Sequence, residues 1–104
     1  RGSPTFGQWE GFELDDRQLH ALYVPIGFAH GFCVLSDVAD VVYKCSNYYD
    51  PVTEAGFAWD DPDVRIAWPE DIDVQVSQRD AEAPRLHDIS DGLPFVWTGP
   101  PAAP

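Results

Sequence analysis

The chain has 104 residues and a formal net charge of −12, from 18 acidic and six basic side chains. That length bounds it at one domain, and the acidic balance excludes binding of nucleic acid or an anionic membrane through a basic surface. No apolar run approaches the length of a membrane span, and no secretory signal pattern is visible.

Ten prolines and eight glycines are spread along the chain, among four tryptophans, four tyrosines and six phenylalanines. That mixture suits short strands joined by turns. Residues 1–5 read as a turn on Gly2, Ser3 and Pro4. Residues 6–14 read as a strand, with Gly11 marking a bulge or a close backbone approach. A solvated loop at 15–18 leads to a second strand at 19–24. Pro25 has no N–H for a ladder, so that strand stops there, and Gly27 supplies the turn.

Residues 30–35 and 38–46 read as two strands of a hairpin around Ser36-Asp37. On the first, His30, Phe32 and Val34 share a face. On the second, Ala39, Val41, Tyr43 and Cys45 share one, opposite Asp40, Lys44 and Ser46. If both inner faces line one barrel interior, an imidazole and a phenol form a polar patch in an apolar cup, the usual form of a small-molecule site. Residues 47–54 form a polar loop that carries Tyr48 and Tyr49, and loop aromatics often serve recognition.

Residues 57–59 read as a short strand, 60–63 as a turn, and 64–68 as a strand alternating Val64, Ile66 and Trp68 against Arg65 and Ala67. Residues 70–73 are an acidic, solvated loop. Ser77 followed by Asp80 matches a capping box, so a short helix over 78–83 is expected, limited by Pro84. The whole reads as all-β: a sandwich or barrel over 1–76, a C-terminal helical segment over 77–88, and a Gly/Pro-rich disordered tail over 89–104. Cys33 and Cys45 are expected as buried free thiols of a reducing compartment, with a disulfide as the alternative. No CxxC motif points to zinc or redox chemistry.

Four stretches, in order, carry a resemblance. They are Gly2-Ser3-Pro4-Thr5-Phe6-Gly7-Gln8-Trp9, then Pro25-x-Gly27-Phe28-Ala29-His30-Gly31-Phe32, then Tyr43-Lys44-x-x-x-Tyr48-Tyr49-x-Pro51, then Asp61-Pro62 through Trp68-Pro69. Together they resemble the dTDP-4-dehydrorhamnose 3,5-epimerase family from residue 1 to about 88. The resemblance covers the later part of a family member; the earlier strands, with the base histidine in an Arg-Gly-Leu-His motif, have no counterpart here. With Arg1-Gly2 already at a family motif, the chain reads as a fragment, expected to be inactive or nearly so by itself.

The resemblance implies a cupin-type jelly roll, here partial, and a cytoplasmic homodimer acting in dTDP-rhamnose biosynthesis. It implies epimerisation at C3 and C5 of dTDP-4-dehydro-6-deoxyglucose. Both hydrogens flank the C4 ketone, so a base, an acid and donors to the enolate oxygen suffice, and no cofactor is needed. By the same resemblance Tyr43 is the acid, His30 a substrate contact, and Asp80 the carboxylate that orients the base histidine. Tyr49 stacks on thymine, and Glu54 and Arg79 bind the nucleotide sugar.

Each residue also has a plainer reading from the sequence alone. Tyr43 is then a core tyrosine with one hydrogen bond, His30 a core histidine steadying its turn, and Asp80 a helix-cap partner. Glu54 and Arg79 are then surface charge, and Tyr48 packs over a barrel rim. Metal-binding cupins use several histidines, two of them close in sequence. His20, His30 and His87 are far apart, so no metal is expected. Two other functions stay open: a related epimerase acting at a single carbon, and a non-catalytic jelly roll that binds sugar nucleotides.

Overall fold

The computed structural model describes residues 1–100. Its tightest packing lies where 57–68 closes against 83–86. The Ala58 amide donates to the Pro84 carbonyl at 2.7 Å. The Trp68 indole N–H donates to the Trp59 carbonyl at 2.7 Å. The two indole rings stand 6.4 Å apart, tilted by 60°, within the range of favourable tilted aromatic pairs.

At the centre is a carboxylate. Asp61 is 2% exposed and Val64 7% exposed, and they are the buried residues of the described chain. A buried carboxylate persists only where its oxygens are bonded. Asp61 Oδ1 accepts from the Asp63 amide at 2.8 Å, and Oδ2 from the Leu86 amide at 2.7 Å. Its carbonyl accepts from the Arg65 amide at 2.9 Å. These bonds hold Arg65 at φ 57, a left-handed conformation that a residue with a Cβ otherwise avoids.

Two short helices follow. In α1, Gln78–Ala81, the Ser77 hydroxyl accepts from the Asp80 amide at 3.2 Å, capping the first turn. The helix stops at Ala81, short of the expected 83, because Pro84 disfavours helical backbone at the residue before it. The chain re-enters helix as α2, Leu86–Ile89, and a 3-10 turn over Ser90–Gly92 follows.

Of the segment read as a disordered tail, residues 101–104 lie outside the described residues. Before them the chain runs back to its start. The Arg1 ammonium donates to the Phe95 carbonyl at 3.0 Å, and the Trp97 amide donates to the Arg1 carbonyl at 2.7 Å. Phe95 also lies against the turn at Gly27. That turn is closed by the Phe28 amide donating to the Pro25 carbonyl at 3.3 Å, with Gly27 at φ 89. A positive φ at the third position is what a type II turn requires, and glycine meets it without strain.

The stretches expected as strands form no ladder hydrogen bonds with one another among the described residues. Ser36 and Asp37 do bend the chain between 30–35 and 38–46, but the two arms do not pair into the expected hairpin. The physical reason is coverage: a hairpin becomes stable when a further strand or another layer buries its apolar face. Here that face stays open, with Phe32 65% and Val41 49% exposed. The radius of gyration is 15.4 Å, against about 13 Å for a closed domain of this length. Cys33 is half-buried and Cys45 exposed, both as free thiols; the burial expected for them is not found, because no second layer covers the stretch that carries them.

Candidate functional site

The polar loop at 47–54 is ordered by one aspartate. Asp50 Oδ1 accepts from the Val52 amide at 3.0 Å. Its carbonyl accepts from the Thr53 and Glu54 amides at 3.2 and 3.1 Å. Tyr49 and Glu54 stand at the two ends of that turn. Across from Glu54, Arg79 of α1 places Nη2 2.9 Å from Glu54 Oε1.

Tyr49, Asp50, Thr53 and Glu54 form one wall of an open cleft of about 430 Å³, and His30, Tyr43 and Cys45 line the other part. His30 and Tyr43, which alternation put on inner faces, both line this cavity, an open cleft and not a closed barrel interior. Tyr43 is 70% exposed and Tyr49 74%, so both rings can meet a ligand. Asn47 and Tyr48 complete the lining.

The charges couple. Arg79, bonded to Glu54, holds the Glu54 carboxyl below the usual carboxylate range, with Tyr49 adding to the effect. The negative charge of Glu54 beside the Tyr49 hydroxyl pushes that phenol above its usual value. Glu54 in turn raises Arg79 further, keeping the guanidinium cationic. A guanidinium carries five N–H donors in a planar fork, so Arg79 can hold Glu54 and still offer donors to an anion.

Of the residues singled out from the sequence, His30, Tyr43, Tyr49 and Glu54 line the cleft, and Arg79 joins them through Glu54. Asp80 does not reach it. Its amide serves the Ser77 cap, and its carboxylate charge acts on neighbouring Arg79. The sequence reading missed Asp50 and Asp61. Both precede proline, and an aspartate before Pro is a turn signal with a mechanism, since its side chain can take the amide two residues on. Among the described residues no three His, Cys, Asp or Glu side chains gather where they could hold a metal ion.

A second cleft, of about 410 Å³, lies beside the Asp61 centre. Phe6, Val64, Leu86 and His87 are among its lining, and none of the expected site residues is. No helix of the described residues is long and apolar enough to cross a membrane.

Comparison with known proteins bears on the first cleft. The family model described as dTDP-4-dehydrorhamnose 3,5-epimerase matches residues 1–88. A Salmonella typhimurium protein of that name is 45% identical over 84 residues, 81% of this chain and 46% of its own. A Neisseria gonorrhoeae protein of the same name is 56% identical over 68 residues, 65% of this chain and 21% of its own. A Streptomyces niveus protein named dTDP-4-dehydrorhamnose 3-epimerase is 44% identical over 90 residues, 86% of this chain and 43% of its own. The chain therefore spans less than half the length of each of these three relatives. No solved structure matches.

Proposed function

This chain belongs to the dTDP-4-dehydrorhamnose 3,5-epimerase family, and from that premise we propose that it is the later part of an epimerase acting on dTDP-4-dehydro-6-deoxyglucose. The observation that carries the reading is the shared cleft: His30, Tyr43, Tyr49 and Glu54 line it, and Arg79 is paired to Glu54 at its edge.

The chemistry follows from the substrate. The hydrogens at C3 and C5 are acidified by the C4 ketone. A base removes one from the first face, which leaves an enolate, and an acid returns a proton to the opposite face. Tyr43 is the acid, because its phenol can give a proton to carbon and regain one from solvent through the open cleft. His30 contacts the sugar, and its imidazole N–H is suited to the oxygen that becomes anionic. Tyr49 stacks on the thymine ring. Arg79 meets the diphosphate, and Glu54 fixes the direction of its guanidinium.

The base is a histidine from residues outside this chain, and Asp80 orients its imidazole as triad carboxylates do. The same missing residues supply the strands that pair with 6–14, 19–24 and 30–46 to complete a cupin-type jelly roll. Support for this lies in the exposed apolar rows of those stretches. The complete protein is a homodimer in the cytoplasm, the compartment in which Cys33 and Cys45 stay reduced, and it needs no cofactor.

A second reading is favoured by the Streptomyces niveus relative, whose name gives a 3-epimerase: exchange at C3 alone. Product analysis after turnover by the full-length protein separates the two readings. A full-length protein that binds dTDP but turns over no 4-keto sugar would leave a non-catalytic binding module.

A further inference from the structure

We infer that Asp50 is a positioning residue for nucleotide recognition: it folds the turn that sets Tyr49 and Glu54 side by side, facing Arg79. The inference rests on the reading of the cleft as a nucleotide-sugar site and adds a residue to which that reading gives no part.

The geometry is local and specific. Pro51 has no N–H and a fixed φ, so the first amide after Asp50 that can be bonded is that of Val52, and Asp50 Oδ1 takes it at 3.0 Å. With that bond made, the Asp50 carbonyl points along the turn. It collects the Thr53 amide at 3.2 Å, the Glu54 amide at 3.1 Å and the Thr53 hydroxyl at 3.3 Å. Glu54 is thereby anchored through its own backbone to the residue that follows Tyr49. Its carboxylate can then reach Arg79 at 2.9 Å in the cleft that Tyr49 also lines.

Without the Asp50 side chain, the loop around Pro51 samples other turns. Glu54 and Tyr49 then part, and Arg79 loses the carboxylate that directs it. A nucleoside diphosphate would have to reorder the loop on binding, which costs affinity while leaving proton transfer at the sugar untouched. Asparagine has the same acceptor oxygen at the same reach, so it should restore the turn. Glutamate places its oxygen one methylene too far and should not.

Two measurements test this. In the full-length protein, Asp50→Ala and Asp50→Glu should raise KM for the dTDP sugar about tenfold, with kcat within about twofold of wild type. Asp50→Asn should return KM to within about twofold of wild type. An unchanged KM in Asp50→Ala, a fall in kcat alone, or an Asp50→Asn as impaired as Asp50→Ala would overturn the inference.

The second measurement needs no turnover. Carbon-13 NMR titration of Glu54 should show its carboxyl below the usual range in wild type and in Asp50→Asn, and moved up toward that range in Asp50→Ala. A Glu54 titration that Asp50→Ala leaves unmoved would overturn the positioning role by itself. Wild-type protein that fails to turn over the sugar would count against the epimerase reading instead, and the titration would still decide the role of Asp50.

Discussion

Arg79 Nη2 lies 2.9 Å from Glu54 Oε1, so a cation of the four-residue helix α1 is aimed by a carboxylate of the polar loop. In a chain of net charge −12, this pair keeps a positive group at the edge of the cleft, as the proposed nucleotide-sugar ligand requires. The pair is exposed, and exposed pairs contribute little to stability. Its value lies in orientation. Arg79→Ala should therefore weaken dTDP binding about tenfold or more while moving Tm by less than about 2 °C. Arg79→Lys keeps the charge but loses the planar fork, so it should fall between the two. Isothermal titration of full-length protein with dTDP checks both. A large Tm loss with unchanged affinity would make the pair structural.

Tyr43 is 70% exposed on the cleft, so removing its hydroxyl disturbs no core. Tyr43→Phe in the full-length protein should lower kcat about 10²- to 10⁴-fold and leave KM and Tm near wild type. Steady-state kinetics with circular dichroism checks this. Turnover that stays at the wild-type level would reject the acid role.

The Asp61 carboxylate is held below the usual carboxylate range, first by the Leu86 amide and then by the Asp63 amide. A folded-state pKa below the unfolded one means that the ionised form favours folding. Its contribution is complete above the unfolded value of about 3.9 and disappears as pH falls through the lower folded value. Unfolding followed by the fluorescence of Trp59 and Trp68 should show stability falling as pH drops below about 4. In Asp61→Asn, which can no longer accept with both oxygens, stability should already be lower at pH 7 and the acid-induced fall smaller. An acid limb that is identical in the variant would place the sensitivity elsewhere.

Trp68 joins the same centre through its indole N–H, 2.7 Å from the Trp59 carbonyl. Trp68→Phe keeps an aromatic ring but leaves that half-buried carbonyl without its donor. The expected loss is about 1 kcal/mol, read as a lower urea midpoint with unchanged slope. An unchanged midpoint would mean that water replaces the indole at no cost.

The stretches 19–24 and 30–46 make no ladder bonds here and expose apolar side chains such as Leu19, 79% accessible, and Val42. Their amides should exchange rapidly with deuterium in this chain and slowly in the full-length protein, where partner strands cover them. Equal protection in both would contradict the proposed jelly roll.

What was legible in the sequence is what is decided locally. Gly27 in its turn and Ser77 at its cap each need only a few neighbouring residues, and both stand as the residue pattern required. Val64, Ile66 and Trp68 alternate in burial with Arg65 and Ala67, as expected, although Arg65 at φ 57 makes the segment a turn and not a pleated strand. Alternation put His30 and Tyr43 on inner faces, and both line one cleft; Tyr49 and Glu54, which line it too, were singled out by the family resemblance alone. Strand pairing was not, since it depends on a second layer that 30–46 does not find within these residues. Asp61 read only as a turn residue because its main partner, the Leu86 amide, is far along the chain. Asp50 was hidden by the opposite circumstance: its bonds are all local, but their consequence is felt at Arg79.

The most direct test is deuterium incorporation. Full-length protein and this chain, each incubated with dTDP-4-dehydro-6-deoxyglucose in D2O, are followed by NMR at C3 and C5. The account predicts deuterium at both carbons with the full-length protein and at neither with this chain, whose acid and binding groups lack the base. Turnover by this chain alone at the full-length rate, or no exchange by the full-length protein at either carbon, would contradict it.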